Sequence, residues 1–273
     1  MDWVIKMKNI IVCGGDERNY WLCRALAQEG YKVSWLFAEK YPSDGNFTDN
    51  ESGDIPLAYA VILPLPLSRD GQTLNAPLSD RKIYLRNLDL SGKCKFVFTS
   101  DNRISGINYF ENEAVTIDNA RLTAVGFLKE LLGYEKEDII GKNALVTGFG
   151  RVSKATCDIL SRNGVRVTAA ARNENQRHEA RARGYNALTI SQAEKKLNAY
   201  DYVINTVPEK LFEEQFIKKA DENTAFFELA AGLVDKAKCI PRAYIECKGM
   251  PGKHTPKAAG RVIARFVCDR LRE

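Results

Sequence analysis

Two short apolar runs that each end in a glycine turn constrain the fold of this 273-residue chain more than any other feature. The first run, residues 10–13, stops at Gly14, and the second, residues 144–146, leads to Gly148. Each turn is followed by a segment whose apolar residues recur at helical spacing. A strand that passes through a tight turn into a helix is the opening unit of a parallel α/β sheet. The pattern therefore predicts two such sheets in one chain.

The rest of the chain continues this alternation of strands and helices. Further strands are predicted at residues 32–38, 60–63, 95–99, 165–170, 202–206, 225–229 and 244–246. Apolar stripes at helical period predict long helices over residues 118–133 and 256–271. The predicted fold class is α/β, with two doubly wound parallel-sheet domains, the second a Rossmann dinucleotide-binding domain, joined by a long helix.

Composition and charge exclude several classes of protein. The 40 Lys and Arg against 35 Asp and Glu leave a net charge of +5, which is too small to indicate nucleic acid or an anionic membrane as a partner. No run approaches the roughly 18 consecutive apolar residues of a membrane span. The seven Cys are scattered and the chain has two His, so no zinc spacing occurs and the thiols are expected to stay reduced. We expect a cytoplasmic protein without metal, nucleic acid or membrane contact.

The second glycine turn fits the dinucleotide fingerprint G-x-G-x-x-[small]. Its first glycine allows the tight turn, its second lets the backbone approach a pyrophosphate, and the helix that follows offers free N–H groups to the phosphates. Ser153 stands where the fingerprint has Gly or Ala, which weakens the match. The candidate cofactor-binding residues here are Gly148, Phe149, Gly150, Arg151 and Val152. The alternative is a turn with a purely structural role.

The end of the next strand bears on the choice of dinucleotide. NAD-binding proteins usually carry an acid about 20 residues after the first glycine, for the ribose 2′-hydroxyl. This chain has Arg172 and Asn173 there, and an arginine pairs with a 2′-phosphate. We predict NADP, with both residues at the cofactor; the alternative is that Arg172 is a solvated cation at the end of a strand.

A third group of cofactor candidates follows the strand predicted at residues 202–206. Thr206, Val207 and Pro208 lie at its carboxyl end, where parallel sheets bind their ligands. The sequence predicts that they lie beside the nicotinamide. A proline-initiated loop without a ligand is an equal alternative.

Several motifs extend from one end of the chain to the other. They are residues 11–18 (Ile-Val-Cys-Gly-Gly-Asp-Glu-Arg), 62–64, the turn at Gly148, residues 171–172, 204–208, 249–252 and 255–260. Together they resemble the A-subunit family of dipicolinate synthase, spore-associated enzymes that oxidise dihydrodipicolinate to dipicolinate. The chain departs from the family at residues 122–126, where the family has P-T-x-E-G, and at residues 232–235, which replace its P-G-G turn.

This resemblance implies an architecture like that of the D-2-hydroxyacid and alanine dehydrogenases. It implies an N-terminal substrate-binding domain at residues 1–117, a linking helix at 118–141, an NADP-binding Rossmann domain at 142–253, and a C-terminal helix at 254–273 that packs back on the first domain. It also implies NADP-dependent oxidation of dihydrodipicolinate and a flavoprotein-like second subunit. We further expect a homo-oligomer.

A dicarboxylate substrate needs two anion sites. Arg18 follows the first glycine turn and can hold one carboxylate, with Asp16 either orienting it or capping the helix. Ser100 and Arg103 follow the strand predicted at residues 95–99 and are further substrate-binding candidates.

The catalytic candidates precede the last helix. Lys253 can hold a carboxylate, and His254 can exchange a proton near neutral pH. The sequence supplies His254 with no partner, so an exposed loop residue is the alternative. With two His in all, the chain is also not expected to have the histidine–acid pair of hydroxyacid dehydrogenases. Two other functions stay open: a non-catalytic nucleotide-binding subunit or sensor, and a dehydrogenase of another small carboxylate.

Overall fold

The computed structural model describes residues 8–42, 52–90, 94–212, 214–218, 220–230 and 243–273. By their internal contacts the residues form a first unit of residues 1–119 with 255–273, and a second unit of residues 120–254. The helices are α1 (Glu17–Gln28), α2 (Glu113–Tyr134), α3 (Arg151–Arg162), α4 (Glu174–Ala182), α5 (Ile190–Glu194), α6 (Glu214–Ile217), α7 (Met250–His254) and α8 (Pro256–Arg272).

The sheet of the first unit is parallel throughout. Its strands are β1 (Asn9–Cys13), β2 (Lys32–Leu36), β3 (Ala60–Ile62), β4 (Phe96–Thr99) and β5 (Ile107–Asn108). They lie in the order β2-β1-β3-β4-β5, which is the flavodoxin-like doubly wound order. The order reverses between β1 and β3, so the glycine turn after β1 lies at the switch point.

The sheet of the second unit is also parallel. Its strands are β6 (Asn143–Thr147), β7 (Arg166–Ala170), β8 (Asn186–Leu188), β9 (Tyr202–Asn205), β10 (Ala225–Glu228) and β11 (Ala243–Glu246). The order β11-β10-β9-β6-β7-β8 is that of the Rossmann fold, and its switch point lies between β6 and β9. The predicted fold class is confirmed.

The helix predicted over residues 118–141 is wrong at both ends, since α2 runs from Glu113 to Tyr134. It begins earlier because the side chain of Asn112 accepts the backbone N–H of Val115 at 3.0 Å and caps the first turn. It ends earlier because the Glu135 carboxylate accepts the next two backbone N–H groups, which start a turn. The short strands β5 and β8 were not predicted, since two or three residues carry no clear alternation.

The core of the first unit depends on close packing of α1 against α8. A Cβ atom at Gly260 of α8 would lie 2.4 Å from the carbonyl oxygen of Arg18 and 2.7 Å from the backbone nitrogen of Leu22. The backbones of the two helices therefore touch at this glycine. Further along α8, Phe266 and Val267 share one apolar core with Leu22.

Two expectations from the composition, on membrane spans and on cysteines, can be compared with the described residues. No helix there has both the length and the hydropathy needed to cross a membrane. The cysteines described are free thiols, at positions 13, 23, 94, 157, 247 and 268. Cys239 and residues 232–235 lie outside the described residues.

The contact at Gly260 predicts the effect of a single methyl group. We expect Gly260→Ala to lower the free energy of unfolding by about 1–3 kcal/mol, because the new Cβ overlaps backbone that cannot move aside. Gly133→Ala in α2 is the matched control, because nothing lies within 4 Å of its Cβ position, and we expect it to be neutral or to add up to about 1 kcal/mol. Urea unfolding measures both. Equal stability of the two variants would contradict the packing account.

Candidate functional site

The glycine turn of the second unit joins β6 to α3 at the switch point of the sheet. Gly148 has φ +79°, a left-handed conformation that favours glycine. A Cβ atom there would also lie 2.9 Å from Cγ2 of Val207 and 3.3 Å from Oγ1 of Thr206. At Gly150 nothing lies within 4 Å of the Cβ position, so this side of the turn is open. Ser153 is buried and its hydroxyl donates to the Gly150 carbonyl at 3.3 Å, so the serine fits the close packing that the fingerprint requires.

The other residues of the turn differ in what they can offer a ligand. Phe149 is 1% exposed and packs in the core of the second unit, so only its backbone can face a phosphate. Arg151 is exposed and Val152 half-buried at the start of α3. The first N–H groups of a helix have no acceptor within the helix, and they suit an anion.

Arg172 follows β7 and forms an ion pair across the carboxyl edge of the sheet. Its Nη1 lies 2.5 Å from Oε2 of Glu209, and the two side chains are 63% and 58% exposed. Such exposed pairs contribute little to stability, so the guanidinium can exchange this partner for a phosphate. The side chain of Asn173 has a structural role here: it accepts the N–H of Asn175 at 2.8 Å and caps α4.

A buried hydrogen-bond network crosses the carboxyl ends of β6, β9, β10 and β11. Oγ1 of Thr147 donates to Oδ1 of Asn205 at 2.6 Å, and Nδ2 of Asn205 donates to Oε1 of Glu228 at 2.8 Å. The hydroxyl of Tyr244 donates to Oε2 of Glu228 at 3.3 Å. Burial and the Glu228 charge raise the pKa of Tyr244. The sequence motifs assign no role to Asn205 or Glu228; the one available signal is an acid closing an apolar strand.

The loop after β9 continues from this network. Thr206 donates its hydroxyl to the carbonyl of Thr147 at 2.7 Å, which ties the loop to the end of β6. Val207 is half-buried against the glycine turn, and Pro208 is exposed. The structure therefore brings two of the three predicted loop residues to the turn itself.

His254, at the end of α7, has the partner that the sequence did not supply. Its Nε2 lies 2.6 Å from Oε1 of Glu130 in α2, and Lys253 bonds to the same oxygen. The Lys253 hydrogen bond lowers the pKa of Glu130, against the opposing effect of partial burial. The expectation that this chain lacks a histidine–acid pair is wrong, because the acid lies 124 residues away in sequence.

In the first unit, Arg18 is buried and held in a fixed orientation. Its Nε and Nη2 each lie 2.7 Å from an oxygen of Asp16, and Nη2 also donates to the carbonyl of Leu65. The same Asp16 accepts the backbone N–H of Arg18 at 3.1 Å as the N-cap of α1. The two roles considered for Asp16 therefore occur together.

Ser100 and Arg103 lie at the same carboxyl edge but in different surroundings. Ser100 accepts the N–H of Leu67 at 3.0 Å and donates to the carbonyl of Pro64 at 3.2 Å, which joins β4 to the loop after β3. Arg103 is 62% exposed and pairs with Asp101, and this pairing lowers the pKa of Asp101 to about 2. Ser100 lies in the loop cluster that holds Arg18, whereas Arg103 lies at the surface.

A cavity of about 730 Å³ lies elsewhere in the second unit, at the amino edge of the sheet. Its lining includes Glu135, Asp201 and Tyr202, and the Tyr202 hydroxyl donates to Glu135 at 2.6 Å. Parallel sheets bind their ligands at the opposite, carboxyl edge. The glycine turn, and not this cavity, is therefore the candidate site.

Comparisons with known proteins agree with this architecture. The chain is 21% identical to the dipicolinate synthase A-subunit from Bacillus halodurans, with a TM-score of 0.83 over 97% of this chain and 98% of that chain. It is 19% identical to the A chain of dipicolinate synthase from Bacillus subtilis, with a TM-score of 0.81 over 97% and 96% of the two chains. Transhydrogenase from Sinorhizobium meliloti matches at 11% identity and a TM-score of 0.65, over 96% of this chain and 93% of that chain. At these identities the likeness shows the fold, which the chain shares with both dipicolinate synthase structures.

The sequence comparison identifies the N-terminal domain. No curated protein matches the chain, but residues 9–118 match the family model for the N-terminal domain of the dipicolinate synthase A-subunit. Residues 9–118 therefore carry the N-terminal domain of the dipicolinate synthase A-subunit family.

Proposed function

We propose that the chain is an NADP-dependent oxidoreductase that converts dihydrodipicolinate to dipicolinate. The observation that carries the proposal is the glycine turn at the switch point of a sheet with Rossmann strand order, with Arg172 at the end of the next strand. The substrate follows from the family of the N-terminal domain. The chain departs from the family motifs at residues 122–126 and 232–235, so the turnover assay has to test the identity of the substrate.

The residues around the turn fit NADP. The open side of Gly150 admits a pyrophosphate to the first N–H groups of α3. The exposed guanidinium of Arg172 suits a 2′-phosphate, because a phosphate accepts two parallel N–H bonds and carries more charge than Glu209. When bound, NADP accepts the hydride that leaves the substrate.

The chain's own residues have three tasks in this reaction. We assign Arg18 and Ser100 to bind and orient the substrate, with Arg103 as a further substrate-binding cation at the surface. Loss of a hydride and a proton makes the ring aromatic, so orientation matters more than strong base catalysis. His254 takes the proton: with its Nε2–H donated to Glu130, Nδ1 is the acceptor, and Glu130 stabilises the imidazolium that forms. Lys253 holds a carboxylate while it bonds to Glu130.

The proposal includes partners. Both dipicolinate synthase structures are described as one component of their enzyme, and we propose a flavoprotein-like second subunit for this chain as well. We also propose that it forms a homo-oligomer and acts in the cytoplasm.

The pairing of His254 with Glu130 favours a second candidate function, a dehydrogenase of another small carboxylate. An imidazole held by an acid can accept the hydroxyl proton of a hydroxy acid while the hydride leaves. The same geometry serves either substrate, so the turnover assay has to separate them.

The assay mixes the chain with NADP and enzymatically generated dihydrodipicolinate, with and without a candidate second subunit. We expect NADPH and dipicolinate to appear together in equal amounts, because one hydride makes one product. Their absorbance measures both. Turnover of a hydroxy acid in place of dihydrodipicolinate would favour the second candidate, and cofactor binding without product in every mixture would leave a nucleotide-binding subunit or sensor.

The choice of dinucleotide can be tested at Arg172. We expect Arg172→Ala to weaken NADP binding about tenfold or more and to leave NAD binding unchanged, because only the 2′-phosphate loses a charged partner. Glu209→Gln should strengthen NADP binding, since it removes the competing carboxylate. Titration calorimetry measures the NADP and NAD affinities of both variants. Arg162→Ala is the control, because Arg162 is exposed at the far end of α3. An Arg172→Ala protein with its NADP preference intact would refute Arg172 as the partner of the 2′-phosphate.

The proton acceptor can be tested at His254. We expect His254→Ala to lower kcat by about 10²-fold with the NADP affinity unchanged, because a positioned general base contributes that much or more. His178→Ala is the control, because the His178 side chain is 68% exposed beside Glu174. Unchanged turnover in His254→Ala would remove His254 from the mechanism.

A further inference from the structure

Glu228 is a buried acid at the carboxyl edge of the second sheet, and the proposed reaction does not use it. Only 1% of the residue is exposed. Its Oε1 accepts Nδ2 of Asn205 at 2.8 Å and the N–H of Ala230 at 3.0 Å, and its Oε2 accepts the Tyr244 hydroxyl at 3.3 Å. Burying a carboxylate is costly unless donors surround it. An apolar side chain would fill this place without that cost, so the acid has a task besides packing.

The role of Glu228 follows from its contact with Asn205, which has no exposed surface. Its Oδ1 accepts both the Thr147 hydroxyl at 2.6 Å and the N–H of Val207 at 3.0 Å. Its Nδ2 donates both to Glu228 and to the carbonyl of Val207 at 2.9 Å. The side-chain amide therefore holds both backbone polar groups of Val207. A carboxylate accepts only from Nδ2, so Glu228 fixes which way the amide faces.

Val207 in turn is the residue that lies against the glycine turn. Its Cγ2 lies 2.9 Å from the Cβ position of Gly148. The N–H of Thr206 donates to the Thr147 hydroxyl at 3.3 Å, which fixes the same loop to the end of β6. A rotation of the Asn205 amide would release Val207 and change the space beside the turn.

We infer that Glu228 is a positioning residue that sets the Asn205 amide, and through it places Val207 against Gly148 at the dinucleotide turn. The inference rests on the proposed function, which assigns this turn to NADP. Glu228 acts through Asn205 and touches no reacting atom. Substitution of Glu228 is therefore expected to change cofactor binding and the rigidity of the loop that contains Val207.

The test compares two substitutions at Glu228. Glu228→Met removes both acceptor oxygens, so Nδ2 of Asn205 and the N–H of Ala230 lose a partner. Glu228→Gln keeps an amide oxygen that accepts from both groups, and its NH2 can donate to the Tyr244 hydroxyl oxygen. We expect Glu228→Met to weaken NADP binding about tenfold, and Glu228→Gln to stay within about threefold of the unchanged protein. Retained binding in Glu228→Gln separates the role of the acceptor oxygen from a general effect of substitution at this buried position.

Hydrogen exchange of the cofactor-free proteins gives a second readout. We expect faster exchange at the Val207 N–H and in residues 147–150 of Glu228→Met, with recovery in Glu228→Gln, because the Val207 N–H donates to Asn205. Glu246→Gln is the matched control, because Glu246 pairs with Glu228 in register on β11, is exposed and bonds to Lys248 at 3.2 Å. We expect that variant to behave like the unchanged protein.

The outcomes separate this inference from the proposed function. A Glu228→Met protein that binds NADP and exchanges like the unchanged protein would overturn the role of Glu228, whatever the enzyme does. An unchanged protein that binds neither NADP nor NAD would overturn the proposed function. In that event the exchange data alone decide the inference: faster exchange with recovery supports it, and unchanged exchange refutes it.

Discussion

The missing side chain at Gly148 is the constraint on which the candidate site of the second unit depends. Strand order reverses between β6 and β9, so the segments that follow these two neighbouring strands leave the sheet side by side. Val207 occupies the space that a side chain at Gly148 would need. The turn also requires a left-handed backbone, with φ +79°, which glycine adopts at little cost. The tight turn and the adjacent loop are therefore possible together only with glycine at this position.

Two kinds of polar group surround the turn, and they behave differently. Asn205 and Glu228 are buried and bonded to several partners, so breaking one bond leaves a costly unpaired group. Arg172 and Glu209 are exposed, so their ion pair is weak and can be exchanged for a ligand. Buried groups thus hold the backbone in place, while exposed charges remain available to a phosphate. The same division holds in the first unit, where Arg18 is buried against Asp16 and Arg103 lies at the surface.

The fold could be predicted from local features of the sequence. Much of the site could not, because it depends on contacts between residues that are distant in sequence. Apolar runs and glycine turns are encoded within a few residues, so both parallel sheets and the turn at Gly148 could be predicted. The Glu130 partner of His254 is 124 residues away and the Glu228 partner of Asn205 is 23 residues away. No spacing rule connects such pairs, because the packing of α7 against α2 brings the first pair together and the order of the strands brings the second pair together. Phe149 shows a further limit of motif-based prediction. Its position in the motif suggested cofactor binding, but its side chain is buried in the core.

The central claim is that the turn after β6 binds NADP with Arg172 at the 2′-phosphate. A crystal structure of the chain grown with NADP tests it most directly. We predict the pyrophosphate at the first N–H groups of α3 and the 2′-phosphate within hydrogen-bond distance of the Arg172 guanidinium, with Glu209 displaced. NADP bound away from the turn, or bound there with Arg172 still paired to Glu209, would contradict the account.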